Sequence, residues 1–515
     1  GGQIGFADES FSPIKVNISQ FYGIEINDFA VTVAKTALWI AESQMMKETE
    51  NILHINLEFL PLKSYTNITE GNALRIDWNN VIPKEELKYI MGNPPFIGAR
   101  LMNKIQKEDI ANIFKDIKGA GNLDYVSCWY KKATDYIKNT NIEVAFVSTN
   151  SITQGEQVAI LWKNILEQGI NINFAYRTFR WDSEASLKAH VHCVIIGFSF
   201  IKRNEKYLYE YDKVKKAKNI NPYLIDAPNV YIENNTHNLS NAPSINYGSF
   251  ALDDGNYTIS IDEYKEIQKN NPEALKFLHL FIGAREMLHS EKRYCVWLKN
   301  VSPDEISKCN FIKKKVEKVK EWRKNSSRKN TVLLADTPTL FAEIRQPETN
   351  YLAIPTVSSE KRRYIPLLFL PPEVIASNQI YVIANATLYE FGVLMSNVHN
   401  SWMRIVAGRL KSDYRYSSKI VYNNFPWCNP TKEQKEKIEK TAQAILEARK
   451  LYPTCSLADL YDELTMPKEL RKAHQENDKA VMEAYGFDWR KMTETDCVAE
   501  LMKMYEKLSS DNIKT

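Results

Sequence analysis

Tyr89-Ile90-Met91-Gly92-Asn93-Pro94-Pro95-Phe96 is the stretch whose reading decides the fold. Its first three residues are β-prone, and the two prolines remove the N–H donors that a continuing strand needs, so a strand ends here. An α/β sheet presents its chemistry at such carboxyl ends. The rigid Pro-Pro turn also fixes two acceptors, a side-chain amide oxygen at Asn93 and a backbone carbonyl. Together they can take both hydrogens of an exocyclic aromatic amine, drawing its nitrogen toward tetrahedral geometry and localising the lone pair outward. Phe96 offers a flat apolar face for an extruded base. Asn93, Pro94, Pro95 and Phe96 are therefore the candidate catalytic residues. Asn-Pro-Pro-aromatic arises by chance about once in 10⁵ positions, so the motif carries weight against its bland alternative, a plain proline turn.

Outward from this turn, strand-like and helix-like patterns alternate through the first 200 residues. Phe21-Tyr22-Gly23-Ile24-Glu25-Ile26 is a short β-rich run, followed by helical spacing over 28–44 with Asp28 as N-cap. After the turn come a helix near 125–137, a strand over 144–148, a helix over 158–168, and strands over 174–178 and 191–200. The alternation predicts a mainly parallel, doubly wound sheet, a Rossmann-like α/β domain over 1–205. From about 206 the texture changes to Tyr, Asn and Lys in short irregular runs, with turn signals at Asn221-Pro222 and Asn234-Asn235. Strands over 351–357, 364–370 and 380–384 lie among loops, so 206–427 is expected to be α+β. Past Pro430, Thr431 stands as an N-cap ahead of apolar Ile438, Ala442, Ile445 and Leu446, which predicts a small helical domain over 428–515.

The bulk numbers narrow the function classes. A chain of 515 residues is too long for one core. It has no apolar run near the roughly 18 residues that span a bilayer, so no membrane partner is expected. Seven cysteines, an odd number with no C-x-x-C pair, point to a reduced, cytoplasmic protein without structural zinc. His190 and His192 flank Val191 beside Cys193 on one face of a strand, but no second ligand pair follows, so no metal is expected. The start, Gly-Gly-Gln-Ile-Gly, is no signal peptide, and the absence of an initial methionine suggests an excised fragment. Net charge is only +4, yet 281–430 holds 23 Lys and Arg against 13 Asp and Glu, as expected if one domain faces phosphate. Lys313, Lys314, Lys315, Lys318 and Lys320 within it read equally well as a solvated helix face.

Two acids precede Asn93 in an informative order. Glu25 ends the first strand, where a carboxylate in a nucleotide-binding sheet accepts both ribose hydroxyls. Asp77, in Gly71-Asn72-Ala73-Leu74-Arg75-Ile76-Asp77-Trp78, is expected at the end of an intervening short strand, where it can accept an adenine amine. Either acid alone reads as a surface carboxylate or a cap; their order ahead of Asn93 favours the cofactor reading.

These two stretches, with Gly92-Asn93-Pro94-Pro95-Phe96-Ile97-Gly98-Ala99 and Leu123-Asp124-Tyr125-Val126, resemble the γ-class adenine-N6 DNA methyltransferases. More narrowly they resemble the MmeI-like (type IIL) restriction-modification enzymes. The similarity continues through Ser148-Thr149-Asn150-Ser151-Ile152, Phe179-Arg180-Trp181, Val421-Tyr422-Asn423-Asn424-Phe425-Pro426-Trp427 and Leu464-Thr465-Met466-Pro467. The resemblance implies a class I methyltransferase domain, a target recognition domain and a helical C-terminal domain. It implies site-specific, metal-free transfer of methyl from S-adenosylmethionine to an adenine flipped out of double-stranded DNA, by a monomer. Glu25 with Ile26 would hold the ribose, Asp77 with Trp78 the cofactor adenine, and Asn93 to Phe96 the target base.

Phe281-Ile282-Gly283-Ala284-Arg285-Glu286 and Gly408-Arg409-Leu410-Lys411-Ser412-Asp413-Tyr414-Arg415-Tyr416-Ser417 resemble segments of the recognition domain. Lys411 and Asp413 lie two apart, which on an extended segment puts both on one face. A lysine donating to guanine and an aspartate accepting from cytosine suit a G·C pair. An inconsequential ion pair is the alternative. Arg362, Arg363, Arg404 and Arg409 are expected on phosphates, with Arg415 joining the DNA-binding set. Trp181 is read as packing or base-facing.

The family pattern breaks in one place. Such enzymes carry an Asp-Pro-Ala-Cys-Gly-Ser-Gly-like loop ahead of the first strand, and an N-terminal nuclease; neither is found here. The expectation is a fragment that binds S-adenosylmethionine weakly or not at all and is inactive alone. Two rival readings remain: a non-catalytic DNA-binding specificity module, and a methyltransferase acting on protein glutamine or RNA.

Overall fold

The computed structural model describes residues 15–54, 67–181 and 191–512. The chain divides into two compact units, Gly1–Ile152 with Ile160–Lys216, and Thr153–Ala159 with Ala217–Thr515.

In the first unit, β1 (Tyr22–Glu25) leads into α1 (Asp28–Leu53) and pairs in parallel with β2 (Asn67–Glu70). The cap of α1 is Asn27, not Asp28: the Asn27 amide oxygen accepts from the Ala30 N–H at 2.8 Å, leaving Asp28 as the first helical residue. There follow β3 (Tyr89–Gly92), α2 (Lys104–Ile113), α3 (Ser127–Tyr136) and β4 (Glu143–Thr149), and then α4 (Gly155–Leu166), whose residues up to Ala159 belong to the second unit. The remaining strands are β5 (Asn171–Trp181), β6 (Val191–Ser199), β7 (Lys206–Glu210) and β8 (Lys213–Ala217). Strands β3 to β8 form a six-stranded sheet in the order β3-β4-β6-β5-β7-β8.

That sheet is mixed rather than mainly parallel. β3 and β4 run parallel, but β6 lies antiparallel between β4 and β5. The nine residues between β5 and β6 are short for a parallel crossover, which takes about a dozen or more residues, so the chain returns antiparallel. Beneath the sheet, Tyr130 of α3 stacks on Phe198 and meets Phe146 and Trp162 edge-on, each at 5.4 Å. Its hydroxyl shares a 2.6 Å hydrogen bond with Ser148, so the aromatic cluster fixes the carboxyl end of β4 against α3. β3 is the edge of this sheet, and its Tyr89 and Met91 are 64% and 78% exposed.

Among the described residues the second unit holds three small sheets. One orders Thr258–Ile259, Tyr294–Val296, Leu278–Ile282 and Ile375–Ala376; another Leu368–Leu370, Tyr351–Pro355, Ile380–Ala384 and Asn246–Tyr247. The third joins Val357–Ser358, Asp413–Arg415 and Gly408–Leu410. The lysine-rich stretch forms the helix Asn310–Lys324, whose Ile312 and Val319 are buried while Lys313, Lys314, Lys318 and Lys320 face outward. On its buried side Arg323 is fully enclosed and donates to five backbone carbonyls, those of Ala251, Leu252, Leu334, Thr337 and Leu340, at 2.8–3.2 Å. One side chain thereby ties two loops to the helix.

Thr431 caps the helix Lys432–Lys450 in a capping box with Gln434, and Ile438, Ala442 and Ile445 line its buried face. The helical C-terminal part packs on the α+β part before it through buried polar bonds. Arg449 donates to the Leu367 carbonyl at 2.7 Å, and Asp478 accepts from the Tyr364 hydroxyl and the Asn397 N–H, both at 2.6 Å. Burial pushes the Asp478 carboxyl up to about 6, against the opposing hydrogen bonds of Tyr364 and Asn397 and the charge of Arg363. One further contact places the third sheet. Gly155 has φ +58°, and a Cβ there would lie 3.2 Å from the Gly408 Cα and 3.3 Å from its nitrogen, so the two backbones touch with no side chain between them.

Candidate active site and recognition hairpin

The proline turn emerges where β3 ends. Gly92 pairs with Phe146 of β4, after which the chain leaves the sheet with Pro94 buried, Phe96 half-buried, and Asn93 and Pro95 exposed. The turn is held through its backbone: the Ile97 carbonyl accepts from the Tyr125 N–H at 2.9 Å, and the Gly98 carbonyl from the Leu101 N–H at 2.9 Å. A Cβ at Gly98 would stand 3.7 Å from the Asp124 carboxylate. That carboxylate accepts from the hydroxyls of Ser151 and, at 3.3 Å, Thr149. Asp124-Tyr125 thus gathers the turn after β3 and the turn after β4 at one edge of the sheet.

Glu25 ends β1 with an exposed carboxylate, and its carbonyl accepts from the Gly71 N–H at 2.6 Å. Ile26 beside it is 64% exposed. Asp77 is not at a strand end. β2 stops at Glu70, the backbone turns at 72–76, and Asp77 caps the single-turn helix Trp78–Asn80 by accepting from the Asn79 N–H at 3.0 Å. Hydrogen bonds from the Arg75 and Ile76 amides to the Asn72 carbonyl coil this stretch, so it cannot extend as a strand. Trp78 is buried, its indole N–H donating to the Ala73 carbonyl at 2.8 Å and its ring meeting Tyr136 edge-on at 5.4 Å.

Asp109 of α2, which no local pattern singles out, is 2% exposed and accepts from Arg75 Nε at 2.7 Å, Asn72 at 3.1 Å and the Tyr125 hydroxyl at 2.7 Å. Burial alone would raise this carboxyl, but the bonds from Tyr125, Arg75 and Asn72 outweigh it and hold the group below the usual range. The Tyr125 phenol is raised, first by burial and then by the carboxylate it faces.

On the recognition side, Gly408–Leu410 and Asp413–Arg415 form a hairpin in which Leu410 pairs with Asp413. Lys411 and Ser412 are therefore the turn, with Lys411 at φ +58°, and Lys411 and Asp413 do not share one face of an extended segment. The chain reverses between them. Lys411 and Arg415 are exposed, and among the described residues no hydrogen bond or ion pair engages their side chains. Arg409 stacks on Tyr414 at 4.1 Å and donates to the Ser412 carbonyl at 2.7 Å and to Glu360 at 3.3 Å. Arg404 donates to the Arg363 carbonyl, Asn397, Ser401 and Glu494. Arg362 is lowered by burial against the charges of Asp413 and Asp462, while Arg363 lies 3.9 Å from Glu494.

His190 lies outside the described residues. Among the described residues no group of three His, Cys, Asp or Glu side chains is placed to hold a metal, and no helix is long and apolar enough to cross a membrane. All seven cysteines are free thiols, six of them buried. Trp181 pairs with Phe179 at 6.3 Å near the end of β5 and is 43% exposed.

Known proteins match this arrangement over nearly its whole length. Residues 4–210 match the MmeI DNA-methyltransferase domain, 226–429 the MmeI target recognition domain and 430–513 the MmeI C-terminal domain. DNA methyltransferase A of Bacillus subtilis (strain 168) is 40% identical over 500 residues, 96% of this chain and 56% of that protein, so the chain spans just over half of this curated relative. A solved structure of the type IIL restriction-modification enzyme MmeI in complex with DNA is 45% identical, with a TM-score of 0.86, covering 96% of this chain and 67% of that one.

Proposed function

The chain belongs to the MmeI family, with its methyltransferase, target recognition and C-terminal domains in order, and on that footing we propose that it forms the modifying and sequence-reading part of a site-specific DNA adenine-N6 methyltransferase. The observation that carries the reading is Asn93, held at the carboxyl end of β3 by a turn whose backbone is pinned while its side chain stays exposed. The Asn93 amide oxygen and the Pro94 carbonyl accept the two N6 hydrogens of a flipped adenine and turn its lone pair outward. Phe96 stacks on the base.

The donor set suits S-adenosylmethionine: exposed carboxylates at Glu25 for the ribose hydroxyls and at Asp77 for the adenine amine, with the Glu25 and Gly71 backbones bonded to each other. When bound, the cofactor supplies an electrophilic methyl group on a sulfonium. Of the Asp77 carboxylate, Oδ1 is occupied by the Asn79 cap. The recognition domain match supports duplex DNA over an RNA or a glutamine amide. In this reading Lys411, exposed at the hairpin apex, reaches a base edge, and the exposed Arg415 meets phosphate.

Single-molecule sequencing of host DNA, with and without the full-length gene, tests the proposal. The wild-type gene is expected to place N6-methyladenine at one recurring sequence, and Asn93→Ala to abolish it. Absence of modified adenine with the wild-type gene would overturn the reading.

A further inference from the structure

Two turns carry the groups assigned above, 71–78 on the cofactor side and 93–98 on the target-base side. They do not follow one another in the chain, and both lead to the same buried carboxylate. Arg75 and Asn72 bind Asp109 from the first turn. From the second, the Ile97 carbonyl is bound by the Tyr125 N–H, while the phenol of the same residue donates to Asp109. Tyr125 therefore spans the gap with its backbone on one side and its side chain on the other. Its ring is further fixed edge-on against Trp129 at 5.3 Å.

We infer that Asp109 is a positioning residue that sets the cofactor-side turn against the target-base turn through Tyr125, a role that rests on the methyltransferase reading above. A buried carboxylate is a poor choice for stability alone, because a well-packed apolar residue usually does as well or better. What three converging donors on one carboxylate provide is direction. In-line transfer needs it, since a misplacement of about 1 Å costs on the order of 10²-fold in rate. Neither Asp109 nor Tyr125 has to touch a substrate to act in this way.

The link predicts different effects from cutting it at different points. In the full-length protein, Tyr125→Phe is expected to lower kcat about tenfold while the affinity for S-adenosylhomocysteine, measured by calorimetry, stays within about twofold. Arg75→Gln should do the converse, weakening cofactor affinity about fivefold with kcat nearly unchanged. Asp109→Asn should do both, and Tyr125→Phe should add little to it. If Asp109→Asn lowers only the melting temperature, leaving kcat and affinity intact, the role is structural and the inference fails.

Hydrogen exchange on the full-length protein supplies a reading that needs no catalysis. Asp109→Asn should speed exchange in both 71–78 and 93–98 while strand 143–149 stays protected; a response confined to 71–78 would refute the link. If the wild-type protein transfers no methyl group, the methyltransferase reading falls, and the exchange result still decides whether the two turns are joined.

Discussion

The 93–98 turn and the 408–415 hairpin are fastened by different parts of the chain. At 93–98 the anchors are carbonyls and amides, chiefly the Ile97–Tyr125 and Gly98–Leu101 bonds, and among the described residues no hydrogen bond engages the exposed Asn93 side chain. Around the hairpin much of the anchoring is done by charged side chains: Arg409 on Tyr414, Ser412 and Glu360, and Arg404 on Arg363, Asn397, Ser401 and Glu494. A side chain that anchors nothing can be removed with only its chemistry lost. A side chain that anchors its neighbours cannot, and its removal mixes recognition with stability.

The largest effect is expected where side-chain anchoring is most complete. Arg323→Met would leave five buried carbonyls without their donor, and urea unfolding of the second unit should show a loss of about 3–5 kcal/mol. A loss below about 1 kcal/mol would break the comparison on that side. Asn93→Ala in the full-length protein should cost about 3–4 kcal/mol in the barrier, roughly 10²–10³ in kcat. Its melting temperature should be unchanged; a fall of several degrees would show that the turn leans on that side chain after all.

Asp478 sharpens the comparison by pH. Its folded pKa, about 6, lies above that of an exposed aspartate, so folding takes up a proton between roughly pH 4 and 6 and this group's contribution declines as pH rises through that window. The carboxylate faces Tyr364, Arg363 and Glu494, and Asp478→Asn removes its titration. Relative to wild type, the Asn variant should gain up to roughly 3 kcal/mol between pH 4 and pH 8 in urea midpoints, and parallel pH curves would contradict this. The smallest effects separate the arginines. Arg415→Ala should weaken DNA binding evenly across sequences and lower the salt slope by about 1 without moving the melting temperature, whereas Arg409→Ala should move the melting temperature as well.

Most of the first unit is legible in the sequence, because strand endings at prolines and glycines and helical apolar spacing are local signals. The Pro-Pro turn, Glu25 at the end of β1 and the Thr431 cap belong to this class. What escapes local reading depends on partners distant in the chain. Asp109 sits in a polar helix and is buried only because Arg75, Asn72 and Tyr125 converge on it. The antiparallel insertion of β6 depends on which strands it joins, and periodicity is blind to that. Lys411 misleads because Leu-Lys-Ser-Asp contains neither the glycine nor the asparagine that usually announces a two-residue hairpin turn, yet the backbone reverses there. Asp77 misleads because a capped turn and a strand end look alike when only one acidic residue is considered.

The backbone contact between Gly155 and Gly408 bears on how the hairpin sequence can change over generations. At this one contact main chain meets main chain, so it encodes no amino-acid identity that must be exchanged in step with the residues at the hairpin apex. On the reading proposed above, Lys411 and its exposed neighbours can change their preferred base pair while the main-chain contact beneath them stays as it was. The vulnerable position is the buried Gly155 itself, where one added methyl group would press on the Gly408 backbone whatever residues the hairpin apex carries.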